Sequence, residues 1–303
     1  MTISVKNSGT WTEVDRVYVK NSGVWVEPQY VYVKDGGIWK IAYIVTTISA
    51  STNDVNLYTL AGSPGTTARY IFVVNAGVVI GSSSTSTASV TASGFPSGSS
   101  ILLVNNGLIL GRGGDGAASP VSGISNNNPN YGGNGGAGGN AITLGNSLTI
   151  TNNGTIGGGG GGGAAGGAYW GGPFSYGYVS YNSGGAGGGA GAPGGAGGTW
   201  PGLSPQGPSY IAGNSGSAGN NSSGGSGGTG SSYYNPNAAC RQTGATGGAG
   251  GGLGSAGSLA VASSVGCPGS VFNGTVGAAG KAVNLNGNTV TWSPIGTVYG
   301  AVS

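Results

Sequence analysis

Seven consecutive glycines occupy residues 157–163 of a 303-residue chain, and further glycine-dense runs follow them. Glycine gives up more conformational freedom on ordering than any other residue. Such a run is therefore either a flexible linker or a structure that only glycine can enter. Gly contributes 72 residues and Pro 13, which taken alone reads as low complexity. Charge argues the other way: Lys and Arg together number 9, Asp and Glu 6, and the mean hydropathy is +0.05. A solvated coil is held open by charge that this chain lacks, and Ala, Val, Ile and Leu are threaded among its glycines, so ordered glycine structure is expected.

The runs have a period. Residues 132–139 read Gly-Gly-Asn-Gly-Gly-Ala-Gly-Gly, and Gly-Gly-x recurs at 184–189, 194–198, 224–228 and 247–252. Three residues per turn is the repeat of the left-handed polyproline II helix, which has no internal hydrogen bonds. Collagen shares that repeat but demands strict Gly-X-Y and abundant Pro, which these runs lack. Their backbone donors and acceptors must bond elsewhere, and without side chains neighbouring runs can approach closely enough to bond to one another. The expected structure is a bundle of laterally hydrogen-bonded polyglycine II helices joined at its ends, with Ala fitting where a small side chain can point outward.

Rings gather where the runs are joined. The joints supply Tyr131, then Tyr169, Trp170, Phe174, Tyr176, Tyr178 and Tyr181, then Trp200 and Tyr210, then Tyr233 and Tyr234 with Arg241 close behind. Tyr and Trp set among Ser, Gly and Asn on loops is the composition of a binding surface, because a rigid amphipathic ring supplies contact area at little entropic cost. The competing reading makes these rings caps for a bundle that has no other bulky apolar groups. Recognition is the stronger reading, since packing rings would be spread along the runs.

The N-terminus is a 14-residue repeat: Ser4-Val5-Lys6-Asn7-Ser8-Gly9-Thr10-Trp11, Tyr18-Val19-Lys20-Asn21-Ser22-Gly23-Val24-Trp25, and Tyr32-Val33-Lys34-Asp35-Gly36-Gly37-Ile38-Trp39. Each copy joins two β-rich arms through a tight-turn dipeptide, which predicts three hairpins. Lone hairpins are marginal in water, so residues 1–45 read either as an attachment module presenting Trp11, Trp25 and Trp39, or as a small β-domain with those rings as its core. Residues 46–104 carry short apolar runs such as Tyr70-Ile71-Phe72-Val73-Val74, bounded by Ser63-Pro64-Gly65 and Phe95-Pro96-Ser97-Gly98, which predicts a small antiparallel β-sandwich. Residues 105–303 form the glycine-rich domain. There Asn105-Asn106-Gly107 is echoed by Asn152-Asn153-Gly154 and more weakly by Asn273-Gly274, and the tail around Asn286-Gly287-Asn288 is β sequence that closes the domain. The expected class is all-β plus a polyglycine II bundle, with no helix signal anywhere.

Several functions are excluded. There is no His, and the acids Glu13, Asp15, Glu27, Asp35, Asp54 and Asp115 leave everything after residue 115 without a side-chain carboxylate. Paired carboxylates, metal clusters and nucleophile–base pairs cannot be assembled there, so neither an enzyme nor a cofactor or metal site is expected. Gly-x-Gly-x-x-Gly matches arise by chance in such a sequence, and Ala279-Gly280-Lys281 lacks the first Gly and the final Ser/Thr of a phosphate loop. The net charge of +3 is spread thinly, without the footprint of a nucleic-acid binder. No stretch approaches a transmembrane helix, and the first residues lack a signal-peptide pattern, so synthesis and assembly in a cytoplasm are expected. Cys240 and Cys267 allow one disulfide, or remain thiols.

Asn-Asn-Gly-x-Ile-x-Gly leading into glycine runs, aromatic-rich loops between the runs, and the endings Gly-Asn-Thr-Val-Thr-Trp and Gly-Thr-Val-Tyr-Gly-Ala-Val resemble bacteriophage tail-fibre adhesins. The similarity spans residues 105–303 and extends more weakly over 46–104. It is strongest to the distal adhesins of T-even-type phages, whose helical attachment region differs from the hairpin repeats here. The resemblance implies a virion protein at the tail-fibre tip, assembled in the host cytoplasm. It would bind an outer-membrane protein or surface glycan through its loops, and other tail or baseplate proteins through residues 1–45. A homotrimer is among the assemblies it implies. A glycine-rich structural or ice-binding protein is the alternative, but it would show a flat Ala or Thr face and few aromatic joints.

Overall fold

The computed structural model describes residues 3–14, 17–119, 132–169, 184–200, 210–235, 240–261 and 270–303. The chain opens with three antiparallel hairpins: β1 (Ile3–Asn7) with β2 (Thr10–Val14), β3 (Val19–Asn21) with β4 (Val24–Val26), and β5 (Tyr30–Asp35) with β6 (Ile38–Ile48). Their loops are Ser8-Gly9, Ser22-Gly23 and Gly36-Gly37, all six residues at positive φ. That is the type I′ geometry whose twist matches the flanking strands, and it explains the recurring dipeptides. Trp25 and Trp39 are each 66% exposed, so neither forms a hairpin core.

β6 runs on without interruption into the body of the protein, a parallel β-solenoid of three faces. β6, β7 (Thr52–Asn53) and β8 (Val55–Asn56) make the first coil. β9 (Arg69–Val74), β10 (Val79–Gly81) and β11 (Val90–Ala92) make the second, and β12 (Ser100–Asn105), β13 (Leu108–Leu110) and β14 (Ile142–Leu144) the third. The fourth begins with β15 (Leu148–Asn152) and β16 (Thr155–Gly157). It is then interrupted by glycine runs carrying the short strands β17 (Gly166–Tyr169), β18 (Tyr210–Ile211), β19 (Ser232–Asn235), β20 (Cys240–Thr243) and β21 (Ser270–Asn273). β22 (Val283–Asn284) completes that coil, and β23 (Val290–Trp292), β24 (Thr297–Tyr299) and a bridge from Val302 to Val283 form the last. The first face orders its strands β23-β15-β12-β9-β6-β5, the second β24-β16-β13-β10-β7, and the third β22-β14-β11-β8.

Every solenoid pairing between coils is parallel, where an antiparallel sandwich was expected for residues 46–104. An alternating apolar run looks the same whichever way its partner points. The turn signals taken as reversals are corners: Ser63-Pro64-Gly65 and Phe95-Pro96-Ser97-Gly98 both lie where the chain passes from the third face to the first. The sheets also continue across residue 104, since β12 pairs with β9 on one side and β15 on the other. Inward residues alternate with outward ones and fill the solenoid with Tyr70, Phe72, Leu103, Ile109, Ile142, Ile150 and Ile156, all buried. Among the described residues there is one short helix, α1 (Leu57–Leu60), capped by Asn56 Oδ1 accepting from the N–H of Tyr58 at 3.0 Å and of Thr59 at 3.3 Å.

The Asn-Asn-Gly echo marks the corner between first and second faces. Asn105 Nδ2 donates to Asn152 Oδ1 at 2.8 Å, and Asn152 Nδ2 to the carbonyls of Ile295 at 2.9 Å and Thr297 at 3.0 Å, so a buried amide ladder runs up the corner. The glycine after each pair is required: a Cβ on Gly154 would strike the Gly107 carbonyl one coil below. The third member of this series is Gly296, not the Asn273-Gly274 echo, which belongs to β21 and its sequel. The Asn286-Gly287 turn likewise joins β22 to β23 across two faces and makes no hairpin.

The glycine runs leave from one corner, between the second and third faces. In the first coil that corner is Asp54 alone; in the next it is residues 82–89, then 111–141, then 158–282. The run after β16 shows how they are held. The N–H groups of Gly159, Gly162 and Ala165 donate to Gly139, Gly136 and Gly133, those of Gly160 and Gly163 to Ala190 and Gly187, and those of Gly161 and Ala164 to Ser255 and Ser258. Its carbonyls accept, again in threes, from stretches 111–117, 248–254 and 274–280. Six neighbours thus surround one run, at hydrogen-bond lengths of 2.7 to 3.1 Å. At the outer surface side chains replace missing neighbours: Asp115 Oδ1 accepts from Ala196 N–H at 2.8 Å, and Asn134 Oδ1 from Thr275 N–H at 2.8 Å. The alanines occupy two kinds of place, some where a small side chain can point outward and others where it cannot. Ala137, Ala196 and Ala278 are of the first kind, but Ala117, Ala165 and Ala186 form a buried cluster between runs.

A Cβ on Gly160 would collide with the backbone carbonyl of Gly251, which cannot rotate away, whereas one on Gly252 would meet nothing within 4 Å. Gly160→Ala is expected to cost more than the roughly 1–3 kcal/mol of ordinary overpacking, and Gly252→Ala less than about 1 kcal/mol. Thermal unfolding of the two variants side by side checks this.

Candidate functional site

Successive runs alternate in direction. Stretches 111–119, 157–165, 193–199, 223–230 and 255–260 lead away from the solenoid, and 132–140, 184–192, 213–220, 244–252 and 274–281 lead back, as their hydrogen-bond partners show. At the solenoid end the connections are short and carry no ring. One is Ala192-Pro193; another is residues 220–223, where Asn220 Oδ1 accepts from Ser222 and Ser223 N–H at 2.9 Å each; a third is 252–255. Arg112 Nη1 fastens this end by donating to the Ser83 carbonyl at 3.2 Å.

The described parts of the stretches that lead away stop at Ser119, Tyr169, Trp200, Asn235 and Val261, and residues 120–131, 170–183, 201–209, 236–239 and 262–269 lie outside the described residues. Their described flanks lie together. Ser119 N–H donates to the Thr199 carbonyl at 3.0 Å, and Gly184 N–H to that of Ala245 at 2.9 Å. Tyr169 is in register with Ser270 across β17 and β21, and Thr246 bridges to Val261. Strands β18, β19 and β20 form a small antiparallel sheet that sets Tyr210 opposite Tyr233 and Tyr234 opposite Arg241. The described flanks of five joints of the sequence therefore lie together at one end of the bundle.

Of the ring residues singled out by the sequence, Tyr131, Trp170, Phe174, Tyr176, Tyr178 and Tyr181 fall outside the described residues. Tyr169, Tyr210, Tyr233, Tyr234 and Arg241 lie on the strands at that end. Trp200 is half-buried against the bundle: its indole nitrogen lies 2.7 Å from where a Cβ of Gly213 would stand, and its backbone N–H donates to Ser215 Oγ at 3.0 Å. Its ring packs on the end of a glycine run, as the capping reading supposed. Cys267 is not among the described residues.

At the N-terminal end, Trp25 and Trp39 are displayed on their hairpins with Lys20 Nζ 6.0 Å and Lys34 Nζ 5.9 Å from the ring centroids, within cation–π range. Trp11 lies on β2, in the first hairpin. Tyr18, Tyr30, Tyr32 and Ile38 are exposed around them. Among the described residues, no three His, Cys, Asp or Glu side chains gather as a metal site would require.

A sequence model of the family described as phage tail fibre adhesin Gp38 matches residues 43–303. The chain belongs to that family. It is a phage tail-fibre adhesin, a virion component that mediates attachment to the host. A chain in the crystal structure of the gp37-gp38 adhesin tip complex of the bacteriophage S16 long tail fiber shares the fold, at 21% identity and a TM-score of 0.51 over 88% of this chain and 84% of that one. No curated protein matches. The family match begins at Tyr43, inside β6, so the adhesin's first two hairpins lie wholly outside it.

The sequence reading overlooked the polar groups at the corner from which the glycine runs spring. Asp54 sits there at φ 55°, accepting from Ser82 Oγ and Ser83 N–H at 3.0 Å each. Its slight desolvation pushes the carboxyl pKa up, but the Ser83 and Ser82 hydrogen bonds together outweigh that and hold it below the ordinary value of 3.8. A depressed carboxyl stabilises the fold above the unfolded pKa and loses that contribution as pH falls through the folded one. Asp54→Asn in the adhesin is expected to leave a shallower fall in melting temperature between about pH 5 and pH 2, measured by circular dichroism.

Proposed function

We propose that the adhesin contacts its bacterial receptor, an outer-membrane protein or a surface glycan, through the aromatic segments at the far end of the glycine bundle. The observation that carries this is the asymmetry of the bundle's ends. Connections facing the solenoid are short and ringless, while the described residues that flank the joints lie at the other end, Tyr169, Trp200, Tyr210, Tyr233 and Tyr234 among them, and the same joints supply Tyr131, Trp170, Phe174, Tyr176, Tyr178 and Tyr181 in sequence. Rings used for packing would be shared between the ends. The hydrogen bonds fanning out in threes support the reading that the runs are polyglycine II helices, a frame rigid enough to hold such loops in fixed relation. Residues 105–303 then act as the receptor-binding part and 46–104 as its base.

Residues 1–45 dock the adhesin to the rest of the tail. The second and third hairpins repeat the same display of Lys and Trp, with Trp25 and Trp39 standing in solvent, and the first repeats their sequence pattern, which suits a partner with repeated, equivalent sockets. The S16 structure is described as a gp37-gp38 complex, and a tail-fibre protein of that kind is the partner we assign.

Replacing Tyr176, Tyr178 and Tyr181 together by Ala is expected to weaken binding to host cells by at least a hundredfold, about what loss of one or two hot-spot rings costs, with the melting temperature unchanged. Binding at the level of the parent adhesin would remove that segment from the site. Trp25→Ala combined with Trp39→Ala should leave host-cell binding by the isolated adhesin intact while releasing it from purified virions.

A further inference from the structure

The two ends of the solenoid are finished differently. At the first coil β5 lies along β6, and the body continues into the hairpins. The last coil, made of β23, β24 and the Val302 bridge, has nothing stacked on it among the described residues. Its backbone alternates. The carbonyls of Thr289, Tyr299 and Ala301 accept from the N–H groups of Leu148, Gly158 and Val283 one coil below, at 2.9 to 3.2 Å, and Ser293 N–H donates to the Ile150 carbonyl at 2.8 Å. The backbone groups of Val290, Trp292, Val298 and Val302, which lie between them, are therefore turned to the open side. The inward side chains of Val290, Trp292 and Val298 are only partly buried on the core, and Ile295, Tyr299 and Val302 are exposed around them.

Charge is missing where it is usually found. Natural sheets blunt an open edge with charged side chains, and terminal repeats carry polar outer faces. Here residues 282–303 contain no charged side chain, and Lys281 just before them is turned to Asn284 Oδ1 at 3.2 Å and the Ser303 carbonyl at 3.1 Å. The uncharged surface continues onto the bundle. The 252–255 turn abuts the last coil, since a Cβ on Gly254 would strike the backbone of Gly300. Stretches 244–252 and 255–261, which that turn joins, carry no charge either, and Leu259 and Val261 are exposed on them.

We propose that this end binds a second copy of the adhesin, through a two-fold contact in which β23 pairs antiparallel with its counterpart. The register selects that occupant. The open backbone groups of Val290 and Trp292 flank Thr291, so with Thr291 opposite Thr291 each Val290 meets the other copy's Trp292 and exchanges both hydrogen bonds with it. A patch that meets its own copy must be self-complementary. An uncharged Val-Thr-Trp strand satisfies that condition, where a charged edge would repel itself, and Thr opposite Thr is a favourable cross-strand pair. The corner from which the bundle springs lies across the solenoid from the first face, so the same axis passes near it and lays the two uncharged bundle layers against each other. Neither partner assigned above competes for this end. The hairpins join the first coil, at the opposite end of the solenoid, and the ring-bearing joints lie at the far end of the bundle.

The test uses the full-length adhesin. Sedimentation equilibrium is expected to give twice the 28.8 kDa of one chain. Thr291 is exposed and points outward from the first face, so its replacement leaves the core alone. Thr291→Lys sets like charges face to face and should raise the dimer dissociation constant at least tenfold, with the circular dichroism spectrum of the parent. Thr291→Cys should form a disulfide between copies on mild oxidation, because the Cα atoms of a non-hydrogen-bonded antiparallel pair stand about 4.5 Å apart, within disulfide reach. Peptide mapping must find the new thiol joined to its own copy, not to Cys240 or Cys267, and Thr297→Cys on the second face should form no such bond. Trp25→Ala with Trp39→Ala should stay dimeric. A monomeric parent overturns the proposal, as do dimers that survive Thr291→Lys or yield no disulfide at position 291. Dissociation on loss of Trp25 and Trp39 would also overturn it, by moving the contact to the hairpins. Should Thr291→Lys lose the parent spectrum, the disulfide decides alone.

Discussion

Everything beyond the solenoid depends on backbone groups bonding sideways. In a helix the backbone satisfies itself; in a sheet it satisfies two neighbours. In the run from Gly157 to Ala165 it is shared among six, each neighbouring stretch bonded at every third residue. Each such bond contributes only about 0.5–1.5 kcal/mol net, against about 1–2 kcal/mol to fix each residue's backbone, so no run is stable alone. The bundle holds as a whole, and only residues without side chains allow carbonyl and amide to approach from so many directions. That is why a Cβ on most of these glycines would strike a neighbour's backbone, and why Gly252, at a turn, would not.

The solenoid supplies what such a bundle lacks, a large apolar core and a fixed register. Leu110 and Gly157 end solenoid strands, and Gly111 and Gly158 begin glycine runs without any intervening loop. Neighbouring runs therefore start at positions dictated by neighbouring coils. Arg112, Asp54 and Ser82 then tie the corner together in a region otherwise poor in side chains.

Local features were readable from the residues, and long-range ones were not. Asn-Ser-Gly and Asp-Gly-Gly encode tight turns through backbone conformations few other residues tolerate, so the hairpins could be placed one by one. The Gly-Gly-x period and the shortage of charge together pointed to ordered, laterally bonded runs. Parallel pairing escaped, because the partners of β12 lie on β9 and β15, far along the chain, and alternation carries no sign of direction. The Asn105 and Asn152 echo was the one trace of a coil repeat, and its next member, around Gly296, had lost both asparagines. Taking the runs as rods put the joints at the ends of the bundle, but composition carries no sign of which end each joint occupies. Trp200, gathered with the other rings in sequence, turned out to lean on Gly213.

β6 is at once an arm of the third hairpin and the first strand of the solenoid, unbroken from Ile38 to Ile48. On the proposed function, with the hairpins docked to the tail and the far end of the bundle held by a cell, tension passes along this single continuous strand. That strand is laddered to β5 on one side and β9 on the other, so a pull along its axis is resisted by many hydrogen bonds in shear at once instead of being unzipped one bond at a time. The joint between attachment and recognition is thus a mechanical splice, and the adhesin can bear load without a hinge between tail and receptor.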